Sequence, residues 1–419
     1  MLIDVFQQYE SEVRSYCRAF PTVFTKAKGS YIESEDGTRY LDFFAGAGAL
    51  NYGHNPDFIK QRLMEYIGSD GILHGLDMYT DAKGQFLQQL QEQILQPRDL
   101  QYRVQFCGPT GTNAVEAALK IARKVKGRSN VIAFQGGYHG MTLASLACTG
   151  NAYNRSGAGT SLSDVTFMPY PFGHMENIDT IAYMDAVLSD SSSGVDKPAA
   201  MILETIQAEG GVVVAPDEWL KRARTLCDKH DMLMIVDDIQ VGCGRAGSFF
   251  SFERAGIKPD IVTLSKSISG SGLPLALVLI KPEHDQWLPG EHNGTFRGNQ
   301  LAFVSGAASI ELWKSLDIEA QVKAKAPILE EGLRKIIAKH DSRLQLRGLG
   351  MIWGVDFTPL QDESLIGKVT DCCFEQDLII ENAGRKGQVL KLLPPLTASE
   401  EELLAGLAII DQAMKTALS

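Results

Sequence analysis

A lysine stands where an apolar, strand-like run meets a glycine-rich turn. Lys266 follows residues 261–265 and precedes the turn 267–274, which contains Gly270 and Gly272. A strand this apolar is usually covered on both faces. An unpaired ammonium is costly to bury, so such an amine tends to lose its proton or to find a partner. A neutral lysine amine is a nucleophile.

A carboxylate occupies the equivalent place after an earlier strand-like run. Asp237 follows the apolar residues 232–236. A lysine that holds an aldehyde as a Schiff base, with an aspartate that pairs with a protonated pyridine nitrogen, is the signature of pyridoxal phosphate chemistry. A snorkelling surface lysine or a turn-capping aspartate would explain either residue alone. The pair in this order, with the motifs below, favours the cofactor.

Composition indicates a large enzyme-sized chain. Its 419 residues, 44% of them hydrophobic, are enough for two or more domains with a substantial core. The net charge of -11 argues against nucleic acid or an acidic membrane as the main partner. The first residues lack a basic segment followed by an apolar core, and no run is long and apolar enough to span a bilayer. We therefore expect a cytoplasmic location.

The cysteines and histidines do not predict a metal site. The seven cysteines are scattered and include no Cys-x-x-Cys pair, which is typical of reduced thiols rather than disulfides or zinc ligands. The eight histidines include no pair at helical metal-ligand spacing. We predict no structural metal.

The middle of the chain alternates apolar runs of strand length with amphipathic helical stretches, the pattern of a mainly parallel α/β sheet. The predicted strands are 104–106, 130–134, 200–204, 232–236, 261–264 and 275–280. Several candidate site residues fall at or just beyond the C-terminal ends of these strands, where open α/β sheets bind ligands. The two ends of the chain lie outside this run and predict a smaller domain.

Small residues precede an alanine-rich helical pattern at 108–120. Thr110, Gly111 and Thr112 place hydroxyls and free backbone N–H groups at a helix N-terminus, which favours an anion such as phosphate. The segment is neither Gly-x-Gly-x-x-Gly nor a Walker sequence, so a dinucleotide or nucleoside triphosphate site is disfavoured. A capped helix, with Thr110 or Thr112 as N-cap, is equally compatible.

Three further loops carry candidate residues. Tyr138, beside His139, follows the strand 130–134 and could stack on a flat heteroaromatic ring, although ordinary packing also explains such a pair. Glu209 lies beyond the strand 200–204 as a substrate-site charge or merely a loop carboxylate. Thr295 adds a hydroxyl in a loop after the lysine.

These segments in this order resemble the class III (ω-amino acid) aminotransferases of fold type I. The resemblance runs over nearly the whole chain and rests on the following motifs: Asp36-Gly37-x-x-Tyr40-Leu41-Asp42, Tyr52-Gly53-His54-Asn55, Thr110-Gly111-Thr112, Tyr138-His139-Gly140, Glu204 to Gly211, Asp237-Asp238-Ile239-Gln240, Gly242-x-Gly244-Arg245-x-Gly247, Lys266 and Thr295-Phe296-x-Gly298-Asn299. It implies an α/β fold with a large domain around a mainly parallel seven-stranded sheet. A smaller α/β domain would come from both chain ends, with segments 1–55 and 311–419 flanking the large domain 56–310.

The resemblance also implies the roles of individual residues around pyridoxal 5'-phosphate. Lys266 would hold the cofactor aldehyde and then move the substrate proton. Asp237 would keep the pyridine nitrogen protonated, and Gln240 would hydrogen-bond near the phenolic oxygen. Tyr138 would stack on the ring, with His139 beside it.

The phosphate would be bound across a subunit interface. Thr110, Gly111 and Thr112 would bind it from one subunit and Thr295 from the other, since members of the family are homodimers with shared active sites. A dimer of dimers is the alternative assembly.

Within the family, residues 43–55, 71–77, 108–118 and 293–298 most resemble those of enzymes that move the terminal amino group of L-2,4-diaminobutyrate to 2-oxoglutarate, as in ectoine synthesis. Glu209 would lie on the substrate side. Many relatives carry an arginine where this chain has Lys391, and a lysine offers only a point charge to a carboxylate. Lys391 is therefore either a substrate-binding residue or a surface residue.

Other functions fit the same residues. Ornithine, 4-aminobutyrate or another diamino acid could be the amino donor. An aminomutase of the glutamate-1-semialdehyde type would share the fold and the lysine, and a non-catalytic sugar- or nucleotide-binding module would need no cofactor. The product could serve ectoine, siderophore or peptide antibiotic synthesis.

Overall fold

A computed structural model of the chain describes residues 2–418. Met1 and Ser419, which end two of the predicted segments, lie outside the described residues. The helices are α1 Leu2–Tyr9, α2 Tyr16–Ala19, α3 Ala45–Gly48, α4 Asp57–Gly68, α5 Asp81–Gln89, α6 Gly111–Lys126, α7 Leu143–Ala147, α8 Ala152–Ser156, α9 Thr180–Ser189, α10 Asp217–Lys229, α11 Gln300–Ser315, α12 Ile318–His340, α13 Leu365–Glu375 and α14 Glu400–Leu418. Within this range, none of the helices is both long enough and apolar enough to cross a membrane.

The strands form two kinds of sheet, one large and the others small. They are β1 Phe24–Lys28, β2 Tyr31–Ser34, β3 Arg39–Asp42, β4 Arg103–Phe106, β5 Val131–Phe134, β6 Val165–Met168, β7 Ala200–Leu203, β8 Ile206–Gln207, β9 Val213–Val214, β10 Leu233–Asp237, β11 Ile261–Leu264, β12 Leu277–Ile280, β13 Gln345–Leu349, β14 Ile352–Asp356, β15 Leu378–Ile379, β16 Glu381–Ala383 and β17 Val389–Leu392. The large sheet has seven strands in the order β4-β12-β11-β10-β7-β5-β6.

The large sheet is mainly parallel, and the prediction of that architecture is confirmed. Only β12 runs antiparallel to its neighbours β11 and β4. The strands β5, β7, β10, β11 and β12 are buried along their whole length, which requires cover on both faces. Alternate residues point to opposite faces: Ile202 and Ile235 pack with α6 on one face, whereas Leu203 and Val236 join the larger core on the other.

All six predicted strands form. β12 begins at Leu277 rather than at residue 275, and β10 extends through Asp237. The strand β6 was not predicted. It lies at the sheet edge beside β5, and three of its four residues are only half-buried, so it lacks the continuous apolar run of a central strand.

The chain ends meet in the smaller sheets. In the sheet β1-β2-β3-β15, the C-terminal strand β15 pairs in parallel with β3, Leu378 opposite Leu41. A second sheet, β13-β14-β17-β16, is formed entirely by C-terminal residues. The boundaries at residues 55 and 310 stay a prediction.

Arg245 connects three distant segments. Its side chain is fully buried. Nη2 donates a 2.6 Å hydrogen bond to Oδ1 of Asn51, and Nη1 donates to the carbonyls of Met351, at 3.0 Å, and Pro394. A buried guanidinium needs such acceptors. Arg245 therefore holds the turn after β10 against one N-terminal segment, at Asn51, and two C-terminal segments, at Met351 and Pro394.

Candidate active site

Four parallel strands end at one edge of the large sheet, and the residues that follow them face each other there. β10 ends at Asp237, and Lys266 comes just after β11. Tyr138 lies in the loop after β5, and Glu204 directly follows β7. Because parallel strands direct their carboxyl ends to the same edge, these side chains surround a common space.

That space consists of two adjoining cavities that share Tyr138, Glu209 and Lys266. The inner cavity has a volume of about 340 Å³, and the outer cavity one of about 940 Å³. Nine of the eleven predicted site residues line the inner cavity: Thr110, Gly111, Thr112, Tyr138, His139, Glu209, Asp237, Gln240 and Lys266. A tenth, Lys391, lines neither cavity but contacts Glu209.

Lys266 lies between the two cavities in an unusual backbone conformation. Its φ is 51°, in the left-handed region that residues other than glycine seldom adopt. Nζ donates a hydrogen bond to the carbonyl of Ala47 at 2.9 Å. Burial lowers the pKa of the Lys266 amine, an effect that Glu209 opposes and Lys391 reinforces. A lowered pKa raises the fraction of neutral, nucleophilic amine.

Asp237 is held from both of its carboxylate oxygens. Oδ2 lies 2.7 Å from Nδ1 of His139, and Oδ1 accepts hydrogen bonds from Oγ1 of Thr263 at 3.1 Å and from the backbone N–H of Ile239 at 3.2 Å. Burial alone would lower the pKa of His139, but the hydrogen bond and charge of Asp237 raise it. The carboxylate is thus oriented toward the inner cavity, and His139 supports it.

The opposite end of the inner cavity is a helix N-terminus. Thr110 is the N-cap residue of α6, so Gly111 and Thr112 are its first two residues. The first N–H groups of a helix have no partner within the helix and attract anions. The Thr112 hydroxyl lies 2.6 Å from that of Thr142 and 2.5 Å from that of Ser145. The predicted N-cap at Thr110 is therefore confirmed, and it is compatible with a phosphate at the same place.

Gln240 connects the inner cavity with the carboxylate of Glu209. Its Nε2 donates to the carbonyl of Ala47 and to Oε1 of Glu209, both at 3.0 Å. Its Oε1 is buried without a hydrogen-bond partner among residues 2–418. Buried polar atoms are seldom left unpaired, so this oxygen indicates a ligand that donates a hydrogen bond.

Lys391 is fully buried between two carboxylates. Its Nζ donates to Oε1 of Glu209 at 2.6 Å and forms an ion pair with Oε1 of Glu381 at 2.9 Å. Burial would lower the pKa of Lys391, but the two glutamates raise it well above its usual range. Burial would likewise raise the pKa of Glu209, but Lys391 and Lys266 hold it at about 2. The alternative that Lys391 is a surface residue is wrong.

Glu204 and Glu381 were not singled out from the sequence. Glu204 accepts a hydrogen bond from the backbone N–H of Tyr138 at 2.9 Å, and burial raises its pKa from 4.5 to about 8. Burial also raises the pKa of Glu381 despite the opposing charge of Lys391. Glu204 shares a motif with Glu209, but nothing in the sequence indicates that Glu381 faces Lys391.

Thr295 is separate from the other predicted residues. It lies in an exposed loop and does not line either described cavity of its own chain. Its predicted contact with a phosphate therefore requires a second subunit. Within residues 2–418, no group of three or more His, Cys, Asp or Glu side chains is placed to hold a metal ion.

The fold and the site define a class of enzyme. The sequence pattern of the family "Aminotransferase class-III" matches residues 14–414, and the chain belongs to this family of pyridoxal phosphate-dependent enzymes.

Individual relatives extend over the full chain. The diaminobutyrate--2-oxoglutarate transaminase of Bordetella parapertussis is 53% identical over 421 residues, which cover 100% of this chain and 96% of the relative. The protein of the same name from Nocardia farcinica is 54% identical over 415 residues, covering 99% and 94%. Among solved structures, an aminotransferase from Bacillus anthracis is similar, with a TM-score of 0.88 and 26% identity, covering 99% of this chain and 98% of that one.

The inner cavity fits pyridoxal phosphate. It combines an amine of lowered pKa at Lys266, a buried acceptor without a partner at Gln240 and an anion-binding helix N-terminus at Gly111. When bound, the cofactor supplies an electron sink that stabilises negative charge on the substrate carbon.

Replacement of Lys266 by alanine should lower turnover by at least about a thousandfold, because no other amine replaces a missing covalent catalyst. Circular dichroism should remain unchanged. Treatment with borohydride and pyridoxal phosphate, followed by mass spectrometry, should give an adduct at residue 266 in the parent protein only. Lys258→Ala, which removes a lysine paired with Asp99 on the surface, is the matched control and should keep full turnover. Near-normal turnover by Lys266→Ala would contradict the role of Lys266.

Glu204 should make the fold less stable as the pH rises. Its folded-state pKa of about 8 lies above its ordinary value of 4.5, so the folded protein holds a proton that the unfolded chain releases between these values. Stability is therefore lost as the pH rises from 4.5 to 8. Glu204→Gln should flatten this decline by up to about 5 kcal/mol in the free energy of unfolding, measured from denaturant unfolding curves across the pH range.

The control for this measurement is Glu330→Gln, which changes an exposed partner of Arg334 and should leave the decline intact. Parallel pH profiles for the parent and Glu204→Gln would show that Glu204 is already ionised in the folded protein.

Proposed function

We propose that the protein is a transaminase that moves the terminal amino group of L-2,4-diaminobutyrate to 2-oxoglutarate, giving L-aspartate 4-semialdehyde and L-glutamate, or runs in reverse. Full-length sequence identity above 50% to relatives with that name supports it. The observation that carries it structurally is the ionised carboxylate of Glu209 beside Lys266. Such a carboxylate suits a donor with a second ammonium group.

Each residue of the inner cavity has a proposed task. Lys266 would take the proton from the reacting substrate carbon and deliver it to the carbon on the other side of the substrate nitrogen, which a neutral amine can do. Asp237, oriented by His139, accepts a hydrogen bond from the ring nitrogen of the cofactor. Gln240 donates or accepts near the phenolic oxygen, and Tyr138 covers one face of the ring.

Two subunits would contribute to the phosphate site. The free N–H groups of Gly111 and Thr112, with the hydroxyl of Thr110, bind the phosphate at the N-terminus of α6. Thr295 of a second copy completes the site. A homodimer, or a dimer of such dimers, is therefore part of the proposal.

An exposed apolar surface supports the dimer. It comprises the segment 72–79 and the neighbouring loop 293–298, whose exposed apolar residues are Ile72, Leu73, Leu76, Met78, Tyr79 and Phe296. The two segments touch through the rings of His74 and Phe296, whose centroids are 5.4 Å apart. Clustered exposed apolar residues mark protein interfaces, and Thr295 belongs to the loop 293–298 of this surface.

We also propose a cytoplasmic location, in which the product enters ectoine synthesis. All seven cysteines are free, and five of them are buried. Unpaired thiols in this number are typical of a reducing compartment.

The donor can be identified from the visible spectrum of the purified holoprotein without an oxo acid. L-2,4-diaminobutyrate should bleach the yellow cofactor band faster than L-ornithine or 4-aminobutyrate, because only this donor combines an α-ammonium with the right chain length. Addition of 2-oxoglutarate should restore the band and release glutamate. Faster bleaching by another amine would show that this amine is the donor of a transaminase of the same family. Turnover without 2-oxoglutarate would favour an aminomutase.

The shared site can be tested by mixing two variants. Thr295→Glu places a carboxylate beside the phosphate and should abolish cofactor binding in the partner's site, whereas Lys266→Ala abolishes chemistry in its own. Co-refolded at equal amounts, half of the dimers contain one intact site, so activity should return to about one quarter of the parent value. Absence of recovery, with mixed dimers shown by mass, would contradict a shared site.

A further inference from the structure

One arginine on the wall of the outer cavity has no counterion. Arg385 lies in the turn between β16 and β17 and lines the outer cavity together with Lys266. Within residues 2–418 its guanidinium takes part in no ion pair and no hydrogen bond. A guanidinium presents a fork of donors that matches a carboxylate.

The other cations around the cavity are already engaged. Arg155 directs Nη1 at the carbonyls of Leu146, Ala147 and Thr149, at 3.0 to 3.3 Å. Lys266 is the reacting amine. Neither is free to bind a substrate carboxylate for the length of the reaction.

Lys391 is excluded for a different reason. Its side chain has no exposed surface, and its ammonium lies between two carboxylates. Moving it toward a substrate would leave Glu209 and Glu381 without their counterion in a buried position, which is costly. Lys391 therefore acts as a positioning residue that keeps Glu209 ionised.

We infer that Arg385 binds the distal carboxylate of both substrates, an inference that rests on the proposed function. In L-2,4-diaminobutyrate the α-carboxyl carbon is separated from the reacting C4 by three carbon–carbon bonds. In 2-oxoglutarate the C5 carboxyl carbon is separated from the reacting C2 by the same three bonds. One fixed guanidinium can thus serve both half-reactions.

The turn that carries Arg385 is well supported. Glu381 and Lys391 are paired residues at the base of the β16–β17 hairpin, so the ion pair behind the cavity also holds the hairpin. The N–H of Gly384 donates to the carbonyl of Glu209 at 2.9 Å. On the other side, a Cβ at Gly136 would lie 3.4 Å from Nη2 of Arg385, which places the guanidinium against that backbone.

A fixed Arg385 explains how the enzyme can bind two different substrates in turn without rearranging the ion pair of Glu209 and Lys391. The donor and the oxo acid bind in turn at the same reacting position. Because their distal carboxylates reach the same place, neither Glu209 nor Lys391 has to break its ion pair between the two half-reactions. The distance between Lys266 and Arg385 then acts as a length gauge for the substrate.

Arg385→Gln tests this with substrates that have or lack the distal carboxylate. For the variant holoenzyme, kcat/KM for L-2,4-diaminobutyrate should fall by about 10- to 100-fold, the loss of a charge-assisted bidentate contact. The rate with 1,3-diaminopropane, the same donor without its carboxylate, should stay unchanged. Likewise, the variant should lose the preference for 2-oxoglutarate over 2-oxobutyrate that the parent protein shows.

Lys386→Gln is the matched control. It changes a neighbouring cation on the same turn, which pairs with Glu363 at the surface. The rate ratios of L-2,4-diaminobutyrate to 1,3-diaminopropane and of 2-oxoglutarate to 2-oxobutyrate should both stay as in the parent protein. An equal loss with diaminobutyrate and 1,3-diaminopropane would show a structural role, and no loss with either would show that Arg385 does not touch the substrate. Either result overturns the inference.

Failure of the proposed function is distinguishable from failure of this inference. If the parent protein does not accept diaminobutyrate, the proposed donor is wrong whatever Arg385 does. The same comparison then uses L-ornithine against 1,4-diaminobutane. A selective loss of rate for the carboxylate-bearing donor in Arg385→Gln still supports Arg385, whereas an equal loss, or no loss, with both donors still overturns the inference.

Discussion

The buried ammonium of Lys391 is the charge around which the active site is arranged. An ion removed from water needs opposite charge close by, and Glu209 and Glu381 provide it. The result is a glutamate that stays ionised at the cavity wall. That carboxylate fixes the amide of Gln240, which shares the carbonyl of Ala47 with the amine of Lys266. A single desolvated charge therefore determines the orientation of groups on both cavities.

A second electrostatic arrangement lies on the cofactor side. Asp237 is fixed by three donors, including the imidazole of His139. Glu204 is close enough for its pKa to be raised in part by the Asp237 charge, after the larger effect of burial. A pKa of about 8 keeps Glu204 largely protonated at neutral pH, so it adds little negative charge to the inner cavity, which Asp237 and Glu209 also line. Environment, not residue type, separates the roles of these two acids.

Much of this could be predicted from the sequence, because it depends on local patterns. Continuous apolar runs indicated the central strands, and the residues directly after them, such as Asp237 and Lys266, lie together because parallel strands end at one edge. Edge strand β6 was missed because half-buried strands lack that apolar signal. Glu381 and Arg385 were missed for another reason: their contacts join segments that are far apart in the chain, and no spacing in the sequence encodes such a pairing. The burial of Lys391 is likewise a property of the folded core.

The pairing of β3 with β15 has a consequence for how the chain is made. Leu41 emerges from the ribosome long before its partner Leu378, and domains generally fold as they are synthesised, N-terminal parts first. The N-terminal sheet thus remains one strand short until synthesis is almost complete, with an open edge that can pair with another chain. Only when the segment that carries Leu378 has been made can this edge be covered by the chain itself.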